Sequence, residues 1–170
     1  VRFHVLANSD SEADQTLKLA VRDRVLQEYG DLLETCTSKE ETLAALKNAQ
    51  QEISETAEAE VLAQGYTYPV RVSLVREEFP FKKYGDLIFP AGVYDALRIE
   101  IGEAKGKNWW CVLYPQMCYV DAAWGYSTEE SHVRLQNTLT KEEFLVVSAM
   151  EQKKVAPKIK CRLVELWSER

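Results

Sequence analysis

Cys111 and Cys118 are the residues whose type and spacing most directly offer chemistry, and they lie in the run Lys107-Asn108-Trp109-Trp110-Cys111-Val112-Leu113-Tyr114-Pro115-Gln116-Met117-Cys118. Two thiols this close can bridge across a turn beginning at Pro115, contribute to a metal site, or stay reduced as small apolar side chains. A bridge closing so short a loop stabilises by roughly 2 to 3 kcal/mol. Zinc fits poorly, because structural zinc sites show two close pairs such as C-x-x-C, whereas Cys36 and Cys161 are remote from this pair and from each other. No metal and no cofactor is therefore expected. Bridge and free thiols both stay open on the residues alone, with Cys36 and Cys161 expected free. A reactive thiol would also need a base, and His4 and His132 are the only histidines. Beside the bulky Trp109-Trp110 pair, the thiols read as structural.

The second constellation is His4 in an opening strand, followed by Asn8, Ser9, Asp10 and Ser11. Imidazole and carboxylate at the end of a first strand can move a proton or hold a metal, which gives His4 and Asp10 as the catalytic pair of an alternative, hydrolytic reading. The competing reading makes Asn8, Ser9, Asp10 and Ser11 helix-capping residues and His4 the partner of a buried backbone group. Gly102 to Gly106 is lysine-rich, lacks phosphate-loop spacing and precedes a strand, so it carries no nucleotide motif.

These residues need elements to position them. Arg2 to Ala7 alternates as a strand, with Phe3 and Val5 on one face. Ser11 with Asp14 resembles a capping box, and Leu17, Val21 and Val25 continue a helix to about Tyr29, where Gly30 offers a stop. Asp10, Asp14, Lys18 and Arg22 form a stripe suited to an exposed face. Ser38 with Glu41 caps a second helix, whose stripe Leu43, Leu46, Ile53, Ala57, Val61 runs unbroken to Gly65. Its outer face carries Glu52, Glu55, Glu58 and Glu60, a solvated surface.

The middle of the chain reads as sheet. Val70, Val72 and Leu74 alternate with Arg71 and Ser73; a turn follows at Pro90-Ala91-Gly92; Leu97, Ile99 and Ile101 alternate with Arg98 and Glu100. The polar loop 102–107 then returns the chain as Asn108 to Tyr114, the partner strand of a hairpin. On it Trp109, Cys111 and Leu113 share one face and Trp110, Val112 and Tyr114 the other. Both faces being apolar, this strand is central, or a later segment or a partner covers one side. Residues 119–137 read as a long loop. Thr140 with Glu143 caps a short helix to about Met150, and Pro157 opens a last one with Ile159, Leu163, Leu166 and Trp167 on its apolar face.

Composition bounds the function. The chain has 170 residues, 46% of them hydrophobic, and a net charge of -6. One domain over 1–170 is expected, with no nucleic-acid binding, since affinity for phosphate backbones comes from clustered Lys and Arg. No apolar run reaches the roughly 18 residues of a membrane span. The chain opens on Val1 rather than Met, and the expectation is an absent N-terminal signal or anchor.

Two ordered blocks carry a family resemblance. Arg2-Phe3-His4-Val5-Leu6-Ala7-Asn8-Ser9-Asp10-Ser11, with Asp14-Gln15, Leu17-Lys18 and Val21-Arg22-Asp23, resembles the N-terminal signature of the stage II sporulation protein R family. The second block, similar to the same family, comprises Tyr84-Gly85-Asp86-Leu87, Pro90-Ala91-Gly92, Tyr94, Ala96-Leu97-Arg98, Ile101-Gly102, Gly106 to Val112 and Pro115 to Cys118. The resemblance implies a secreted signalling protein of endospore formation, exported from the forespore into the space between forespore and mother-cell membranes. Its implied partner is a membrane-embedded sporulation aspartic protease, met on the extracytoplasmic face, which processes the precursor of an early mother-cell sigma factor. It further implies action by protein binding, peripheral proximity to a membrane and no enzymatic activity, and it fits a structural disulfide between Cys111 and Cys118.

Large aromatics dominate interface energetics, so Asn108, Trp109, Trp110 and Tyr114 are the partner-binding candidates. The alternatives are the hydrolase of His4 and Asp10, acting on envelope material, and a structural envelope protein. The expected fold is α+β and two-layered, a mainly antiparallel sheet with two long helices on one face and C-terminal helices over 138–170.

Overall fold

Arg2, Phe3, His4 and Val5 are all at most 3% exposed, so the first strand is buried on both faces and can only be an internal strand of its sheet. The computed structural model describes residues 1–84, 87–115, 117–118, 133, 135–137, 139–141, 144 and 147. In chain order the elements are β1 (Arg2–Leu6), α1 (Glu12–Glu34), α2 (Lys39–Asn48), α3 (Gln50–Ala63), β2 (Val70–Phe79), β3 (Lys82–Tyr84), β4 (Leu87–Phe89), β5 (Gly92–Ile101) and β6 (Asn108–Val112). The sheet runs β2-β5-β1-β6, and β3 and β4 form a separate antiparallel pair.

The class is α+β, but β5 and β6 are not a hairpin. β1 lies between them, parallel to β5 and antiparallel to β6. The reason lies in loop 102–107, which crosses the C-terminal end of β1 instead of turning back on β5. Gly106 N donates to Ala7 O at 2.9 Å and Lys105 N to Asn8 O at 3.2 Å, so the loop is anchored on the residues that follow β1. Consequently, among the described residues, β6 is the edge of this sheet, not its centre, and the other edge is β2, paired antiparallel to β5 along ten residues.

The helices differ from expectation in two places. α1 does not stop at Gly30; it continues to Glu34, because Tyr29, Gly30 and Leu33 extend the buried stripe begun by Leu17, Val21, Val25 and Leu26. The unbroken helix expected after Ser38 is divided at Ala49, where ψ reaches 0° and the buried residue both ends α2 and begins α3. Gln50 Nε2 donates to Val72 O at 3.0 Å, tying this bend to β2. Both expected starts do form: Ser11 Oγ accepts from Asp14 N and Ser38 Oγ from Glu41 N. α3 ends in a Schellman turn, with Tyr66 N donating to Val61 O, Gly65 N to Leu62 O, and Gly65 at φ +84°.

One core lies between helices and sheet, where Phe3, Val5, Leu97, Ile99, Ile101 and Cys111 meet Leu17, Val21, Leu46, Ile53 and Ala57. Burying a side chain of this kind stabilises by about 1.5 to 3 kcal/mol. A smaller core on the opposite face joins Phe89, Val112 and Met117 to Leu135 and Val147. Val133 and 135–137 are helical, in a stretch read from sequence as loop, and Leu135 is fully buried. Phe144 N donates to Thr140 O, in a helical segment that includes Lys141, Phe144 and Val147. The readings for 119–132, Glu143 and 151–170, including His132, Cys161 and the last helix, lie outside the described residues.

Candidate functional site

Strand alternation places two different chemistries on the two faces of β1. Phe3 and Val5 face the helices, whereas Arg2 and His4 face the other side, opposite Ala96 and Arg98 of β5 and Val112 and Trp110 of β6. Glu77 reaches this face from β2, where Arg98 is paired with Ser73. His4 Nε2 lies 2.6 Å from Glu77 Oε1, within ion-pair reach, although neither atom is in hydrogen-bond alignment. Arg98 Nη1 donates to the second oxygen, Glu77 Oε2, at 3.3 Å, and Arg98 Nη2 lies 3.5 Å from Glu100 Oε2.

Aromatic rings close over the imidazole. His4 is stacked on Trp110 with centroids 4.9 Å apart and planes at 12°, and Phe79 meets it edge-on at 5.4 Å. Burial therefore drives the His4 pKa below its ordinary value, the Arg98 cation lowers it further, and Glu77 and Asn108 oppose the shift. A neutral imidazole beside a carboxylate and a guanidinium can accept or pass a proton. Here, however, it sits 3% exposed beneath two rings, which suits a structural hub of the sheet face.

Asp10 does not join it. Asp10 Oδ1 accepts from Lys107 N at 2.7 Å, and the neighbouring residues lock the same loop: Asn8 Oδ1 accepts from Glu103 N while Asn8 Nδ2 donates to Asp14 Oδ2. Ser9 Oγ donates to Asp14 Oδ2 at 2.5 Å. These bonds, Ser9's first and Asn8's next, hold the Asp14 carboxyl below its ordinary pKa. Asn8, Ser9 and Asp10 thus tie helix to loop, and Ser11 alone of the four supplies the side-chain N-cap. Half of the stripe expected to be exposed is buried here: Asp10 is exposed and Arg22 half-buried, but Asp14 is 4% and Lys18 5% exposed, with Lys18 Nζ donating to Gln15 Oε1 and to Lys107 O.

Cys111 and Cys118 are joined in a disulfide with their Cα atoms 5.3 Å apart. Met117 N donates to Val112 O within the turn, and Cys36 is a half-buried free thiol. The four partner-binding candidates are all half-buried. Trp109 meets Phe3 edge-on at 5.8 Å on the helix side and carries the Arg22 guanidinium over its ring. Trp110 packs on His4 and Phe79 on the opposite side, with Lys82 Nζ 5.7 Å from its ring centre. Tyr114 Oη donates to Thr37 O at 2.8 Å, and Asn108 Oδ1 is buried without a hydrogen-bond partner. The pair straddles the edge strand, each ring half committed to a core.

Sequence reading did not single out Glu77, Phe79 or Arg2. A usable signal was present for Arg2: a charge flanking a strand with no wet face must be buried, so it needs a built surrounding. Glu77 and Phe79 gave none, because their meeting with His4 depends on the strand order.

A disulfide-closed edge strand, aromatics on both its faces and a buried polar hub define a small α+β domain whose specific chemistry is concentrated at one sheet edge. The family model described as Stage II sporulation protein R matches residues 1–124, and the chain belongs to that family. It is 32% identical over 179 aligned residues to Stage II sporulation protein R of Bacillus subtilis (strain 168), covering 99% of this chain and 80% of that protein. No solved structure matches it. Among the described residues no helix is long and apolar enough to cross a membrane, and no group of three or more His, Cys, Asp or Glu could hold a metal ion.

Proposed function

We propose that this chain is an exported signalling protein of endospore formation that works by binding. It leaves the forespore for the space between the two membranes and activates a membrane-embedded aspartic protease, which processes the precursor of the early mother-cell sigma factor. Membership of the sporulation family is the observation that carries this reading. The Cys111–Cys118 bridge supports an oxidising compartment. The half-buried aromatics of β6 support an edge able to meet a partner.

Activation by binding has a physical requirement. The chain must bind the active protease more tightly than the inactive form, and moving a 1:99 mixture to 99:1 takes about 5.5 kcal/mol of difference. The test is reconstitution of exported chain, protease and sigma-factor precursor in a host lacking all three. Cleavage that requires the chain is expected, and Trp110→Ala or Tyr114→Ala should reduce it about tenfold or more in folded protein. Cleavage at the same rate without the chain would overturn the activation reading. Full activity of both variants would overturn only the assignment of the surface.

A further inference from the structure

Arg2 carries a charge that nothing described neutralises. It is 1% exposed, and its guanidinium lies over three rings, with Cζ 4.4 Å from the centre of Tyr94, 4.7 Å from Phe89 and 5.6 Å from Phe79. Its Nη2 has no hydrogen-bond partner, and no carboxylate among the described residues is in ion-pair reach. The acid nearest in register, Asp95, belongs to Lys39, whose Nζ is 2.5 Å away. Rings satisfy a guanidinium only in part, because its N–H groups lie in its plane and still seek acceptors.

Arg2 also lines a cavity of about 360 Å³ whose other walls include Phe89, Tyr94, Val112, Pro115 and Val147. The volume falls at the small end of the roughly 300 to 1,000 Å³ range of ligand sites. The walls are apolar, and their hydroxyls are engaged: Tyr94 Oη donates to Pro90 O and Tyr114 Oη to Thr37 O. This leaves the Arg2 guanidinium unmatched in a largely apolar chamber; the Val1 amino group, which also lines it, already donates to Tyr114 O at 2.7 Å. Both sequence blocks contribute to it, Arg2 from the first and Pro90, Tyr94, Val112 and Pro115 from the second.

We propose that this cavity binds an apolar monocarboxylate, with the acid on the Arg2 fork and the apolar body against Phe89, Val112 and Val147. Guanidinium matches a carboxylate in shape as well as charge, and a pair formed in this dry surrounding is strong for that reason. A single unmatched guanidinium selects a single anion. The site stands apart from protease activation and does not depend on it. A free arylalkyl acid and the C-terminal residue of an apolar peptide present the same chemistry.

Two probes separate these sources: 4-phenylbutyrate and N-acetyl-Leu-Phe with a free carboxylate, each titrated into the whole chain beside its own amide. Calorimetry is read together with the methyl resonances of Val112 and Val147. Saturable binding of at least one acid is expected, with its amide tenfold weaker or more and both methyl groups shifted. Binding of both acids shows that a free acid suffices; binding of the dipeptide alone assigns the site to a peptide terminus. Arg2→Met should abolish the preference for acid over amide. Should that variant not fold, the acid and amide comparison on the unmodified chain decides alone. No binding of either acid, or amides as tight as the acids, overturns the proposal.

Discussion

The His4 imidazole lies parallel to the Trp110 indole, 4.9 Å between centroids, at the join of β1 and the edge strand β6. The imidazole of an interior strand is therefore covered by an indole of the strand beside it. Burial lowers the His4 pKa, so above its unfolded value of about 6.5 the ring is neutral folded and unfolded. As pH falls below that, the unfolded chain takes the proton first, and stability is lost until the folded pKa is passed. Urea unfolding between pH 8 and pH 5 should show this loss, with a shallower slope for His4→Gln. Equal slopes for the two proteins would refute the assignment.

The disulfide makes a separate prediction. With a sequence separation of 7 between Cys111 and Cys118, the loop-entropy estimate is about 2.5 kcal/mol of stability. Natively exported protein, denatured without reductant, should show two titratable thiols from Cys36 and Cys161, and four after reduction. Cys111→Ser with Cys118→Ser should lower the urea midpoint by an amount equivalent to that figure. Four thiols without reductant in exported material would refute the bridge.

Asn8 and Gly102 should be coupled. Gly102 has φ +61°, and a β-carbon there would collide with the Asn8 side chain that bonds Glu103 N and Asp14. Gly102→Ala is expected to cost about 1 to 3 kcal/mol from the backbone conformation and more from the collision. In an Asn8→Ala background the collisions with the amide atoms go and only the tight approach to the β-carbon remains, so the double variant should be more stable than additivity predicts by roughly 0.5 kcal/mol or more. Strict additivity in chemical denaturation would count against this contact.

His4 and Asp10 should behave independently. Asp10 holds Lys107 N and His4 faces Glu77, so His4→Gln and Asp10→Ala should add in their effects on stability. Asp10→Ala should cost on the order of 1 kcal/mol, the worth of one hydrogen bond to a charged acceptor at an exposed loop. Under the proposed function, sigma-factor processing should persist with each variant that folds. Loss of processing in a fully folded Asp10→Ala protein would restore the hydrolytic alternative.

Local signals were legible in the sequence. Ser11 and Ser38 start helices because a hydroxyl there accepts the free N–H three residues on whatever the fold, and Gly65 ends one because the left-handed turn excludes most other residues. The alternation of Trp109 and Trp110 to opposite faces follows from strand geometry alone and is found in the packing. What was not legible depended on distant segments. The polar run Asp10, Asp14, Lys18, Arg22 has the spacing of a wet face, yet loop 102–107 covers part of it, and nothing in the local spacing announces a cover arriving some ninety residues later. The false hairpin has the same origin, since adjacency in sequence favours pairing β5 with β6 and only the two-sided burial of Arg2 to Val5 argues for a strand between them.

The place of β1 in the sheet sets an order of events for a chain that emerges amino end first. Arg2 pairs with Ala96 on one side and with Val112 on the other, so β1 has no strand neighbour until some ninety residues have followed it. Helices α1 to α3 can gather on local contacts while it waits, but the sheet closes only when β5 and β6 arrive to flank it. A chain that stalls, or is cut before Asn108, therefore leaves the strand that is buried from Arg2 to Val5 with an open edge. Closure of this sheet therefore waits on its last strand.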